Sequence, residues 1–235
     1  MRLCLGILVG SILAIASACR DTGRLHAIDL EAVYERTDRD FESAVLFRPD
    51  DSTADDPAHL LAPLIVVESG VAGSVPPEVS YERTEQGWAY RWIDPVSGIE
   101  QGIHATLDAG GFPLVYEVLR DSSGARLMFV DMSLEQRAVE EFGSPLPGRR
   151  FSVERSLADT PDVAVGGTYE PGATPLGPFV YLWNETHDVN VVLCRCMAPR
   201  VFDIVDSIAY TLKPYESRGR PALAPDAALR LPGGR

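Results

Sequence analysis

The sequence predicts an α+β domain that is predominantly antiparallel β-sheet, with a five-strand meander over about 79–133 and about two packed helices. Three observations carry this. Five strand-like runs follow one another with only short turn signals between them. Aromatic residues recur at every second position in two of the apolar runs. Helix-period apolar spacing predicts a helix in two segments, 134–142 and 201–212.

The elements follow in chain order. Residues 25–36 fit helix and strand equally well. "FESAVLF" from Phe41 to Phe47 reads as a strand, and "RPDDSTADDPAHLLAP" as an acidic loop. Asp50, Asp51, Asp55 and Asp56 lack the alternating ligand positions and closing Glu of a calcium-binding loop, which favours a solvated segment. "PLIVVE" from Pro63 to Glu68 is a short apolar run, the mark of a buried strand.

The meander comes next: "VSYERT", "WAYRWI", "IEQGIHATL", "FPLVYEVLR" and "RLMFVDMS". Links this short join antiparallel neighbours, because a parallel crossover needs about a dozen residues or more. Within "DPVSG", Pro95 presets a turn angle and Gly98 is free to take a positive φ. "LEQRAVEEF" then places Leu134, Ala138 and Phe142 on one helical side, and Gly143 with Pro145 ends it. "RFSVERS" returns to strand, and "DVAVGGTYEP" is a strand with a Gly-Gly break. "PFVYLWN" and "VNVVLCRCM" are two more strands. In "RVFDIVDSIAYTL", Val201, Ile204, Val205, Ile208 and Leu212 fall at helical spacing and predict a helix. Residues 214–235 hold Pro, Gly and Arg without a core pattern and read as a disordered tail. The expected organisation is one domain over 25–213.

Composition excludes some functions. The chain has 235 residues and a formal net charge of -13, with no basic stripe, so it repels phosphate backbones and anionic membrane surfaces. A membrane association would need another hold. "MRLCLGILVGSILAIASAC" supplies a candidate: Arg2, an apolar run from Leu3 to Ile15, then small residues before Cys19. That is the layout of a signal peptide over 1–18, followed by a tether at 19–24. Ala16, Ser17, Ala18 and Cys19 resemble the lipobox of bacterial lipoproteins, a class that usually has Leu at the position of Ala16. The resemblance implies that Cys19 becomes the first mature residue and carries acyl chains. Its address would then be the outer side of the cytoplasmic membrane or the outer membrane. The same "ASA" also fits ordinary cleavage after Ala18, which would leave a secreted or periplasmic soluble protein.

Two constellations could carry function. Trp88, Tyr90 and Trp92 share one strand face, as do Phe179, Tyr181 and Trp183. Such stripes most often pack in a core, where cross-strand aromatic pairs add ~0.2–1 kcal/mol each. Left open to solvent, they form a ligand platform for a glycan, peptide or lipid-like molecule. The second is Cys194-Arg195-Cys196. Residues two apart on a strand lie ~6.6 Å apart at Cα, beyond the ~5.5–6 Å that disulfides prefer. Val192, Cys194, Cys196 and Ala198 form one period-2 face of small residues, so core packing of the thiols is the first reading. A reactive or oxidised pair is the second, with Arg195 lowering the thiol pKa. A soft Cu(I) or Zn site using His187, Cys194, Cys196 and Met197 is the third.

Catalytic signatures are absent: no nucleophile elbow, no H-E-x-x-H, no P-loop and no G-x-G-x-x-G. His26, His59, His104 and His187 are scattered. His104 shares a strand face with Glu100 and Thr106, read here as a solvent-facing polar edge, and His187-Asp188 reads as a hairpin turn. No catalytic residue and no cofactor is implied. The expected function is an exported, lipid-anchored envelope protein acting as a binding or structural module. Its membrane partner engages through Cys19, and it binds no nucleic acid. A thiol-redox or soft-metal protein is the alternative, and an envelope hydrolase a residual third.

Overall fold

The meander forms as its turns dictate. In a computed structural model, β3 (Glu78–Arg83), β4 (Gly87–Ile93), β5 (Glu100–Leu107), β6 (Pro113–Val118) and β7 (Arg126–Asp131) lie side by side, each antiparallel to the next. The structure describes residues 41–50, 56–70, 77–93, 98–122, 124, 126–142, 153–157, 160–170, 172–183, 186–195 and 201–216. The signal, the lipobox and Cys19, the ambiguous segment 25–36 and the stretch 217–235 all lie outside them. Gly98 takes the left-handed φ of 66° that its turn was expected to need.

The meander belongs to an eight-stranded sheet. β8 (Val153–Leu157), β9 (Thr160–Tyr169) and the short β13 (Leu212–Pro214) extend it in the order β13-β3-β4-β5-β6-β7-β9-β8. A second, five-stranded sheet is built from β1 (Phe41–Pro49), β2 (Leu64–Glu68), β10 (Phe179–Leu182), β11 (Val189–Leu193) and β12 (Val201–Tyr210), in the order β11-β10-β2-β1-β12. Both sheets are mixed rather than purely antiparallel: β1 with β12, β2 with β10, β3 with β13 and β7 with β9 all pair in parallel.

Period-2 alternation sorts the large sheet's side chains onto two faces. Tyr90, Trp92, Ile103, Tyr116 and Phe129 join Phe41, Ile65, Val180 and Tyr181 of the other sheet in one core. Val115, Met128, Val130 and Val165 point the other way, towards Ala138. Ala138 lies on helix α2 (Glu135–Phe142), entered through a 3-10 turn at Met132–Leu134. The result is three layers at one end of the large sheet and two at the other. The only other helix among the described residues is the single turn α1 (Pro57–Leu60). Asp56, counted above in an acidic loop, caps it by accepting from the backbone N of Ala58 at 2.9 Å.

Two expectations fail. Residues 201–212 are not a helix: Val201–Tyr210 is strand β12, paired in parallel with β1, and Leu212 begins β13. The register steps from Ala44↔Ile204 to Val45↔Asp206, which leaves Val205 as a bulge. That extra residue shifts the alternation by one, so Ile204, Val205 and Ile208 mimic helical spacing. The β-branched residues favour a strand once a partner is present. The run 189–197 is also shorter than expected, since β11 ends at Leu193 and Arg195 lies in a turn. Cys194 thus lies past the strand end, and Cys196 and Ala198 of the expected face lie outside the described residues.

The Gly-Gly break falls where β9 slips by one residue. Met128 pairs with Val165 and Phe129 with Gly167, so Gly166 is skipped, and a Cβ there would meet the Phe129 ring at 2.9 Å. At the end of the described chain, Pro214 pairs with Tyr81, and the Tyr215 ring lies 4.4 Å from the guanidinium carbon of Arg91.

Candidate ligand-binding site

The aromatic stripes do not make one exposed platform. They sit on opposite sheets and face a shared core, where Tyr90, Trp92 and Tyr181 are sealed at 0–1% exposure. Tyr90 is pinned by donating its hydroxyl to Ala58 O at 2.9 Å, and Tyr181 packs 5.4 Å from Phe41. Phe179 and Trp183 are half-buried, with Phe179 also packed on the core.

Trp88 differs. It starts the stripe at the edge of the core, just past the turn that joins β3 to β4. Its ring lies 5.8 Å from Tyr81, and the Arg83 guanidinium sits 4.9 Å from its centroid. Its indole Nε1 is buried without an acceptor. The residue borders a groove of about 990 Å³ with Leu61, Leu107 and Leu134 among its apolar walls and Arg83, Gln86 and Asp108 among its polar ones. The Asp108 carboxylate holds one wall in shape by accepting from Gly110 N and Phe112 N, each at 2.8 Å. An apolar floor with a few fixed polar groups is the usual chemistry of a ligand site.

The cysteine motif leads elsewhere. Cys194 is disulfide-bonded and packs on the core, so the free core thiol expected there is corrected. Its partner lies outside the described residues, where Cys4, Cys19 and Cys196 all fall. Arg195 turns inward and donates from Nη2 to Ala62 O. Its Nε is buried with no acceptor. Burial lowers its pKa, opposed by the hydroxyls of Tyr210, Tyr116 and Tyr90 around it. The tyrosines answer in kind: burial pushes Tyr116 and Tyr210 well above the ordinary phenol value, and Arg195 pulls both back. Cys194, Arg195, Phe112, Pro113, Tyr116 and Tyr169 help to enclose a cavity of about 170 Å³ beside this group.

The histidines gather no catalytic set among the described residues. His104 is buried rather than solvent-facing, with Nε2 bonded to Thr84 Oγ1 at 2.9 Å, because Thr84 folds back over β5 from the β3–β4 turn. Burial, aided by Arg91, pushes its pKa down to about 4. His187 sits in the β10–β11 turn at φ 57°. No group of three metal-binding side chains occurs among the described residues. Of the soft-metal set, Cys196 and Met197 fall outside them, and Cys194 has its sulfur in a bridge.

Two functional-looking residues were missed in the sequence. Asp188, read as a turn residue, is fully buried and accepts from Gln101, Ser122 N and the Ser122 hydroxyl. Arg195, read only as a neighbour of thiols, is the half-buried cation of the cavity. The signal for both was a polar residue bordering an apolar strand. No protein-family model, no curated protein and no solved structure matches this chain.

Proposed function

We propose that the protein is an exported, lipid-anchored envelope protein that binds an amphipathic ligand in the groove beside Trp88. The observation that carries the binding reading is Trp88 itself: an aromatic residue at an apolar groove, with a cation stacked on it. The signal layout and Cys19 support the address. A disulfide at Cys194 agrees with export, since such bonds persist in oxidising compartments.

The test has two arms. Intact mass of the protein from its native membrane, alkylated before reduction, reads the anchor: an acyl mass on Cys19 supports it, and an unmodified Cys19 or an uncleaved leader sinks it. Binding is read by Trp88 fluorescence against peptidoglycan fragments, peptides and lipid vesicles. Quenching that disappears in Trp88→Phe supports the groove. A response equal in the two proteins, or none from any of the three classes, removes it.

The thiol-redox reading keeps one observation in its favour, the bond at Cys194. Reversible reduction at the glutathione poise would bring it forward, whereas resistance to that poise marks a structural bridge.

A further inference from the structure

The groove accounts for nothing at Arg195. Two other inward arginines show what a guanidinium drawn from solvent has elsewhere in this fold. Arg91 pairs with Glu82 at 3.1 Å, and Arg126 with Glu117 at 2.8 Å. Arg195 has no carboxylate partner among the described residues. Its one protein acceptor is the carbonyl of Ala62, and its Nε has none. Arg195 is half-buried; arginine stays protonated at neutral pH, and a cation partly removed from water without a counter-charge is disfavoured.

A second donor stands beside it. Of the three tyrosines around the guanidinium, Tyr90 donates to Ala58 O and Tyr210 to Pro63 O at 2.7 Å. The Tyr116 hydroxyl makes no hydrogen bond among the described residues. Tyr116 and Arg195 both line the cavity of about 170 Å³. Tyr169, whose ring lies 5.2 Å from Tyr116, closes a wall and spends its own hydroxyl on Pro113 O at 2.9 Å. The cavity therefore offers one cation and the unused Tyr116 hydroxyl, with apolar walls from Phe112, Pro113 and Leu176.

We propose that this cavity binds a small monocarboxylate, or the carboxylate end of a small organic acid, between the Arg195 guanidinium and the Tyr116 hydroxyl. A planar carboxylate matches the guanidinium fork, and a single negative charge balances the single cation. A phosphate dianion would leave a net charge in the apolar enclosure. The volume is below the ~300–1,000 Å³ of drug-sized sites, so the occupant is small. This site stands independently of the groove reading, with Arg195 and Tyr116 absent from the groove walls.

The experiment titrates the mature, disulfide-intact protein with formate, acetate, propionate and butyrate in a carboxylate-free buffer, by calorimetry and amide NMR. Acetamide and inorganic phosphate serve as controls. Acetate or propionate should bind saturably, with acetamide about tenfold weaker or more, the worth of one charged hydrogen bond. Tyr116→Phe should weaken binding severalfold, and Arg195→Lys by about tenfold, through loss of the fork. Ala173, an exposed residue at the cavity wall, allows a variant that leaves Arg195 in place: Ala173→Trp should block entry. If Arg195→Lys fails to fold, the Tyr116 and Ala173 variants decide. The proposal is overturned by no saturable carboxylate binding up to on the order of 100 mM. Equal binding of acetamide, preference for phosphate, or full binding in Ala173→Trp would each overturn it as well.

Discussion

Gln101 of β5 donates its side-chain amide to the carboxylate of Asp188 in the β10–β11 turn, Nε2 to Oδ1 at 3.1 Å. The bond crosses from one sheet to the other. Asp188 also accepts from the backbone N of Ser122 at 3.0 Å and from the Ser122 hydroxyl. One buried carboxylate thus holds the β10–β11 turn against the loop after β6.

Removing that acceptor should be expensive. Asp188→Ala strands the amide of buried Gln101 and frees two donors of exposed Ser122 to water, so it should cost about 2 kcal/mol, most of it from Gln101. Asp188→Asn keeps one carbonyl oxygen, while the Ser122 hydroxyl can rotate to accept from the new amide, so its cost should be nearer ~1 kcal/mol. Urea midpoints of the two variants read the order. Equal costs would mean that the carboxylate is not the tie described.

Acid should weaken the fold partly through His104. Its pKa is about 4 when folded, against about 6.5 for an unperturbed histidine. The unfolded chain therefore takes up this proton first. Stability from the neutral imidazole is complete above pH 6.5, falls between about 6.5 and 4, and is constant below that. At about 1.4 kcal/mol per unit the full difference is about 3 kcal/mol. His104→Gln keeps a partner for Thr84 and should flatten this window, as seen by denaturation at pH 7 and pH 5. An imidazole titrating near 6.5 by NMR would contradict the burial argument.

Gly177 should tolerate no side chain. A Cβ there would lie 2.2 Å from Ala62 O and 2.4 Å from Leu61 O, both backbone atoms, while its own N donates to Leu60 O at 2.8 Å. Gly177→Ala must push the 172–178 segment off α1, with an expected loss of about 2 kcal/mol. Because that segment also walls the small cavity, carboxylate affinity should fall in the same variant. Thermal unfolding together with the acetate titration tests both halves.

Val205 should be replaceable. As the bulged residue of β12 it is 54% exposed, and Asp203 and Asp206 flank it on the same strand. Val205→Lys should change stability by about 0.5 kcal/mol or less and reduce any self-association through this edge. Sedimentation and melting curves of the two proteins give the answer. A large loss would mean that the side chain is packed.

These residues also show what the sequence carried. The meander was legible because each of its links is local: a few turn residues set both the direction and the partner of the next strand. Pairing of β1 with β12 was not, since their contacts join the two ends of the described chain and no local pattern encodes a distant partner. The bulge at Val205 compounded this by erasing the alternation that marks a strand. The sealed fate of Tyr90 and Trp92 followed from their period, whereas the opening at Trp88 depended on where α1 and the β5–β6 turn come to rest. The cavity was invisible for the same reason, because Tyr116, Tyr169 and Arg195 arrive from three separate elements.

The parallel pairing of β1 with β12 has a mechanical consequence. Tension applied ahead of Phe41 and behind Tyr210 drags two neighbouring parallel strands in opposite directions along their shared ladder. With handles at those two points, single-molecule extension should give one abrupt rupture rather than a staircase. A hairpin pulled at its two ends opens like a zip, one bond after another; strands pulled lengthwise past each other must break their bonds together. A body tethered by its leading end and tugged by its trailing end would meet that pull with its strongest geometry.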